Sequence, residues 1–262
     1  MDLSTICTDL AAEHSALDII VSGLDDTAWG QPTPAEGWEV RDQIAHLAYY
    51  DAAATLAASD PALFARDDAA LPRAEREGRQ LAIGRAMTAP QLMLWWRLSR
   101  DAMVAAFGRL DARARLPWYG PPMGAASFIT ARLVETWGHG QDVVDALGVS
   151  RPPTDRLRHI AHLGVITRPY SFTNQGRPAP TEDVRVELRG PGGETWTWGA
   201  EGAPNHVRGD AHDFCLVVTR RRHHADTGLD IGGLVAQEWM QRAQAFAGSP
   251  GAGRRPGQFP RR

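Results

Sequence analysis

The stretch LVETWGHGQDVVDALG, residues 133–148, carries Glu135, His139 and Asp142 among side chains that are mostly apolar or small. Glu135 and His139 are spaced i, i+4, which sets both side chains over one patch of a helix. A buried carboxylate without a partner is destabilising by several kcal/mol, so Glu135 needs a cation, a donor or a metal. The spacing suits two ligands of one ion. A further ligand must come from another element, and His46 in RDQIAHLAYYD is available. It lies off the aliphatic stripe of its own segment, beside Asp42 and Tyr50. Two histidines and one glutamate leave a divalent ion with open positions for water or a substrate atom. Such an ion lowers the pKa of bound water or thiol and polarises carbonyl oxygens. Asp142, one turn beyond His139, is placed to orient that imidazole. The plainer alternative is an ordinary i, i+4 contact, common wherever a helix carries E-x3-H.

These residues require long helices to hold them. Around the segment 125–147, one side carries Ile129, Leu133, Trp137, Val144 and Leu147. The other carries Phe128, Ala131, Glu135, His139, Asp142 and Ala146. A helix apolar most of the way round is a buried helix, and Gly148 ends it. The segment from Glu39 through EVRDQIAHLAYYDAAATLAA keeps a 3.6-residue period at Val40, Ile44, Leu47, Ala48 and Leu56. Residues 3–22 and 88–110 complete the set, the latter with Thr88 as N-cap and Pro90 in its first turn. Residues 60–87 are charged and partly helical. Four long helices with short connections predict a four-helix bundle over 1–150.

After RPPT (151–154) the pattern changes. A helix over 154–168 leads into the linker-like SFTNQGRPAPTED. VRVELRG (184–190), PGGE and TWTWG (195–199) then alternate with period 2 and predict a β-hairpin. Helical stretches are expected over 210–222 and 233–248, and SPGAGRRPGQFPRR (249–262) reads as an extended or disordered tail. The expected fold class is α+β: a helical bundle over 1–150, a small α+β domain over 151–248, then the tail.

Composition narrows the function classes. Of 262 residues, 43% are hydrophobic and 23% charged, as in an ordinary globular protein. Net charge is −3, so nothing global recruits nucleic acid or an anionic membrane. All 28 cationic residues are arginine, which excludes a Schiff-base or Walker lysine. Cys7 and Cys215 suggest a reduced interior rather than a disulfide framework. With neither a signal-peptide pattern nor an apolar run approaching the roughly 20 residues of a span, the expectation is a cytoplasmic protein.

GWEVRDQIAHL and ETWGHGQDVVDALG resemble the two signature stretches of the mycothiol-dependent maleylpyruvate isomerase family. The resemblance implies a DinB-type four-helix bundle followed by a small α+β domain similar to sterol carrier proteins. In that family, the histidine of W-x-[VI]-R-D-x-x-x-H and the glutamate and histidine of E-x3-H-x2-D bind a divalent metal, usually zinc. Carried over, the ligands are His46, Glu135 and His139. GDAHDFCLVVTRRR also resembles a family helix that begins G-x-A and ends in a Gly-Arg pair, its arginine holding an acidic substrate. Aligning on Gly209 and Ala211 puts Arg221 at the arginine, with Arg220 in place of the glycine and as the fallback. A guanidinium suits bidentate carboxylate recognition; a cation cluster at a helix C-terminus is the structural alternative.

The remaining candidates are weaker. His223 and His224 read as a solvated turn rather than ligands. His14, His159, His162, His206 and His212 likewise read as lone histidines without a spaced partner. Trp95, Trp96 and Trp137 read as core, while Trp118 and Tyr119 are placed to line a pocket mouth. The expected activity is metal-dependent isomerisation of, or thiol transfer to, an electrophilic small molecule, with mycothiol or another low-molecular-weight thiol as cofactor. A thiol-independent Lewis-acid enzyme and a non-enzymatic small-ligand carrier are the alternatives. No nucleic-acid or membrane partner is expected, and the assembly is a monomer or homodimer.

Overall fold

The computed structural model describes residues 2–259, which form two compact units that divide between Ser150 and Arg151. Their architecture is α+β, helical in the first unit and sheet-containing in the second.

Five helices dominate the first unit: α1 (Leu3–Val21), α2 (Val40–Ser59), α3 (Arg73–Arg85), α4 (Ala89–Phe107) and α5 (Ala125–Leu147). The start of α2 is fixed by a capping box, in which Asp42 accepts from the Glu39 backbone N–H at 2.9 Å. Asp42 also accepts from Arg85 on α3 at 2.7 Å. The R-D pair of the first signature stretch therefore contains a structural carboxylate that anchors two helices. Thr88 and Gln91 form the corresponding box on α4, with Pro90 in the first turn. Gly148 ends α5 at φ +65°, a left-handed conformation that glycine adopts without steric penalty.

Helix α2 packs against α3, α4 and α5, while α1 packs against α4 and α5. Trp29, Ile44, Leu47, Leu92 and Trp96 are buried at their centre. The expectation of four helices thus accounts for α1, α2, α4 and α5, and α3 is the addition. Its sequence, RAEREGRQLAIGR, lacks a conventional apolar stripe. It buries Arg76, Gln80 and Gly84 instead, one residue per turn. Gly84 packs so closely that a Cβ there would meet the Ala45 Cβ at 2.3 Å.

The second unit begins with α6 (Leu157–Ile166) and α7 (Arg168–Thr173). The expected hairpin is β1 (Val184–Arg189) with β2 (Thr195–Trp198), antiparallel, with Val186, Leu188 and Trp196 buried. Two strands escaped the sequence reading: β3 (Asn205–Asp210), parallel to β1, and β4 (Asp230–Gly232), antiparallel to β3. Sheet order is β2-β1-β3-β4. The helix expected over 210–222 is α8 (Ala211–Val218), shortened because Asp210 belongs to the sheet and because Arg220 has φ +62°. The helix expected over 233–248 stops at Arg242 (α9, Leu234–Arg242).

Residues 249–259 form no helix or strand. Their backbone is nevertheless tied down, since the Gly257 N–H donates to Asp226 at 2.7 Å. The last three residues of the expected tail, 260–262, lie outside the described residues. Cys7 and Cys215 are buried free thiols. Among the described residues, no helix is long and apolar enough to cross a membrane.

Candidate metal centre

Helices α2 and α5 pack side by side and bring His46, Glu135 and His139 together, with one ligand-type atom from each within 4.8 Å of the others. Oε2 of Glu135 lies 3.2 Å from His139 Nε2 and 3.6 Å from His46 Nε2. The side chains of His46, Glu135 and His139 are 14%, 25% and 12% exposed, so the group is sheltered but open to a small ligand.

Hydrogen bonding fixes the state of one imidazole. Thr33 donates its hydroxyl to the Trp38 carbonyl at 2.9 Å and accepts from Gln43 Nε2 at 2.8 Å. The Gln43 amide is thereby oriented, and its Oε1 lies 2.5 Å from His139 Nδ1. Because a carbonyl oxygen can only accept, the His139 proton belongs on Nδ1. Nε2 is then the nitrogen that faces Glu135, at 3.2 Å. Both ring nitrogens of His46 are buried without a hydrogen-bond partner. Burial, and then His139, push His46 from 6.5 down to about 3, so it is neutral at pH 7. Burial raises the Glu135 carboxyl, but hydrogen bonding from a proton held by His139 or His46 outweighs this and keeps it well below the usual carboxylate range.

The result is one carboxylate oxygen facing two imidazole nitrogens, an arrangement that a proton or a cation between them completes. Zn–N distances of about 2.0–2.1 Å and Zn–O distances of about 2.0–2.2 Å imply tetrahedral ligand separations of about 3.4 Å. The observed 3.2 and 3.6 Å bracket that value. The donor set therefore fits a divalent ion with two nitrogens and one oxygen, leaving room for an exogenous ligand.

The family description "Mycothiol maleylpyruvate isomerase N-terminal domain" matches residues 10–144, a span that includes all three residues. The chain belongs to this mycothiol maleylpyruvate isomerase family. Uncharacterised proteins from two strains of Mycobacterium tuberculosis are 44% identical over 256 residues, covering 97% of this chain and 99% of theirs. A crystal structure of the mycothiol-dependent maleylpyruvate isomerase, and one of a point variant, superpose with a TM-score of 0.62 at 18% identity. The match covers 89% of this chain and 95% of that one, and it shows a shared fold.

Other members of the family site fall in different surroundings. Asp142 is buried on α5, but the His139 ring nitrogens face Gln43 and Glu135. The orienting position assigned to Asp142 is thus filled by Gln43, from the facing helix. In the second unit, Arg220 has φ +62°, the left-handed conformation that glycine adopts without steric penalty. Arg221 donates Nη1 to the Thr219 carbonyl at 2.7 Å, and Arg220 is half-buried near the Gly251 carbonyl at 3.5 Å. His223 accepts from the Ala225 N–H in a turn. His14, by contrast, is a core residue, 3.3 Å from Thr136 and 3.7 Å from Asp51.

The aromatic surroundings were only partly anticipated. Trp38 stacks on His139 with centroids 5.9 Å apart and packs on His46 at 5.4 Å. Tyr50 packs on the other side of His46 at 4.6 Å. Trp118 and Tyr119 join this group through Tyr50, at 6.2 and 5.6 Å. Trp96 and Trp137 are core as expected, while Trp95 is only partly buried. Trp38 lay in a signature stretch and could have been found there. Gln43 and Thr33 gave no spacing signal.

Proposed function

We propose that this protein is a divalent-metal-dependent enzyme that activates a small thiol, mycothiol, for isomerisation of, or transfer to, an electrophilic small molecule. His46, Glu135 and His139 are the proposed ligands, which makes the first unit the metal-binding unit. The observation that carries the reading is the convergence of two imidazole nitrogens, one on a ring oriented by Gln43 and one without a hydrogen-bond partner, on a single carboxylate oxygen. Zinc suits this donor set and, when bound, lowers the pKa of a thiol toward neutrality.

The chain's own residues supply position and environment. Gln43 holds the His139 tautomer, and Trp38 keeps the imidazole rings in place, stacked on His139 and packed against His46. Tyr50, Trp118 and Tyr119 exclude bulk water from the side of His46 that they cover. Arg221 is the proposed partner of an acidic substrate group, with Arg220 as the fallback. A thiol that adds to an activated double bond and departs after rotation isomerises it. One that stays attached yields a transfer product.

Metal analysis of purified protein tests the centre: about one divalent ion per chain is expected, lost in His46→Ala and Glu135→Gln. Protein with no stoichiometric ion under metal-replete conditions would overturn it. Incubating holo-protein with mycothiol and a panel of electrophilic enones and keto acids tests the thiol. Turnover that is independent of thiol would reassign the chain to thiol-free Lewis-acid chemistry.

A further inference from the structure

Close to the three proposed ligands, the first unit buries a charged group that they leave unused. Arg76, on the inward stripe of α3, is only 7% exposed. Its Nη1 donates to the Leu71 carbonyl at 2.9 Å, and its guanidinium lies 3.7 Å over the Tyr119 ring. Its Nε is buried without a hydrogen-bond partner. Among the described residues, no carboxylate forms an ion pair with it. The adjacent Glu77 is engaged by Arg73 at 2.6 Å. Arg132, the other arginine buried to this degree among the described residues, shows the contrast: it meets Asp51 at 2.9 Å.

A buried guanidinium without a counter-ion is costly, and arginine cannot escape by losing its proton. The Tyr119 ring offsets part of the charge, by about 0.5–2 kcal/mol for such a contact. That is less than the several kcal/mol needed to desolvate an ion. The position of this cation is equally informative. The Tyr119 ring beneath it meets the Tyr50 ring edge-on at 5.6 Å, and the Tyr50 ring packs 4.6 Å from His46. Phe64 and Trp118, stacked at 5.5 Å, continue the apolar wall beside Tyr119. With Nη1 already committed, the Nε–Nη2 edge is the one left for a bidentate acceptor. One fork and the Tyr50 hydroxyl match a planar carboxylate, whereas a phosphate dianion brings more acceptors than these donors serve.

We infer that Arg76 and Tyr50 form an oxyanion-binding edge beside His46, Glu135 and His139, and that it seats the carboxylate of a small ligand whose other end reaches those residues. The inference rests on the proposed reading of the three residues as the reactive centre. It adds a first-unit cation to ligand recognition, separate from Arg221.

The test is calorimetric titration of zinc-loaded protein with benzoate and with its neutral counterpart benzamide, with zinc content measured on the same samples. Wild type is expected to prefer benzoate by at least about tenfold, as charge-assisted hydrogen bonds require. Arg76→Met should reduce the preference to under about twofold while its zinc content stays that of wild type. Arg76→Lys keeps the charge but loses the fork, and should fall between the two. If Arg76→Met does not fold, Arg76→Lys decides, since an undiminished preference in that variant overturns the inference. No benzoate preference in wild type, or full preference in Arg76→Met, also overturns it. If wild type lacks zinc yet its preference still depends on Arg76, the metal reading fails and the anion edge stands.

Discussion

Gln43 accepts a hydrogen bond from Nδ1 of His139 at 2.5 Å, and the two residues stand 96 positions apart on facing helices. The contact sets which nitrogen of His139 turns toward Glu135, so Gln43 governs the basicity and direction of a proposed ligand without being one. Removing such an outer partner weakens metal affinity by about 10–100-fold in comparable sites. Gln43→Leu is expected to weaken zinc binding by that order in chelator competition, with its circular dichroism spectrum unchanged. Gln43→Glu keeps an acceptor oxygen and should retain most of the affinity. Equal affinities for wild type and Gln43→Leu would show that the hydrogen bond has no such role.

The sequence exposed part of this arrangement. Glu135 and His139 were legible because their relation is local, four residues along one helix. His46 was legible because it breaks the apolar stripe of its own helix. Gln43 was not, since an amide has no characteristic spacing and its partner lies on another element. Asp142 is close to His139 in sequence, yet the hydrogen-bond partners of the His139 ring nitrogens are Gln43, on the facing helix, and Glu135. Helix α3 escaped for a related reason, because its buried stripe consists of Arg76, Gln80 and Gly84, none of which registers as hydrophobic. In the second unit, β3 was hidden because its last residues, Gly209 and Asp210, read as the start of the following helix.

The bundle core also contains a buried ion pair. Arg132 on α5 donates Nε and Nη2 to Asp51 Oδ1 on α2, at 3.1 and 2.9 Å. Breaking such a pair from one side strands a buried charge and costs about 3–5 kcal/mol. Asp51→Ala should therefore lower the thermal unfolding midpoint sharply, and adding Arg132→Met should recover much of the loss. A midpoint unchanged in Asp51→Ala would mean that the pair is dispensable.

His14 makes the fold sensitive to acid. Burial, then Arg100 and Arg132, push it from 6.5 down to about 3, with Asp51 Oδ2 3.7 Å away. The unfolded chain therefore binds a proton that the folded chain refuses between these values. Stability is complete above about pH 6.5 and falls as pH drops toward 3. At pH 5.5 the loss from this group is about 1.4 kcal/mol. Denaturant titrations of chelator-treated protein should show His14→Gln losing less stability than wild type between pH 7.5 and 5.5. Parallel losses in the two proteins would assign the acid sensitivity elsewhere.

Arg220 holds a conformation that its side chain disfavours. At φ +62° it occupies the left-handed region, where a residue with a Cβ is strained by about 1 kcal/mol relative to glycine. Its side-chain contacts offset little of this, since Nη2 reaches the Gly251 carbonyl only at 3.5 Å and Nε has no partner. Arg220→Gly is therefore expected to leave stability unchanged or raise it by up to about 1 kcal/mol, despite the more flexible unfolded chain. Arg220→Ala keeps the Cβ, loses the side chain and gains nothing. Chemical denaturation of the two variants separates backbone strain from side-chain contact. Strain predicts that glycine exceeds alanine, whereas a side chain that itself stabilises the turn predicts that both fall below wild type.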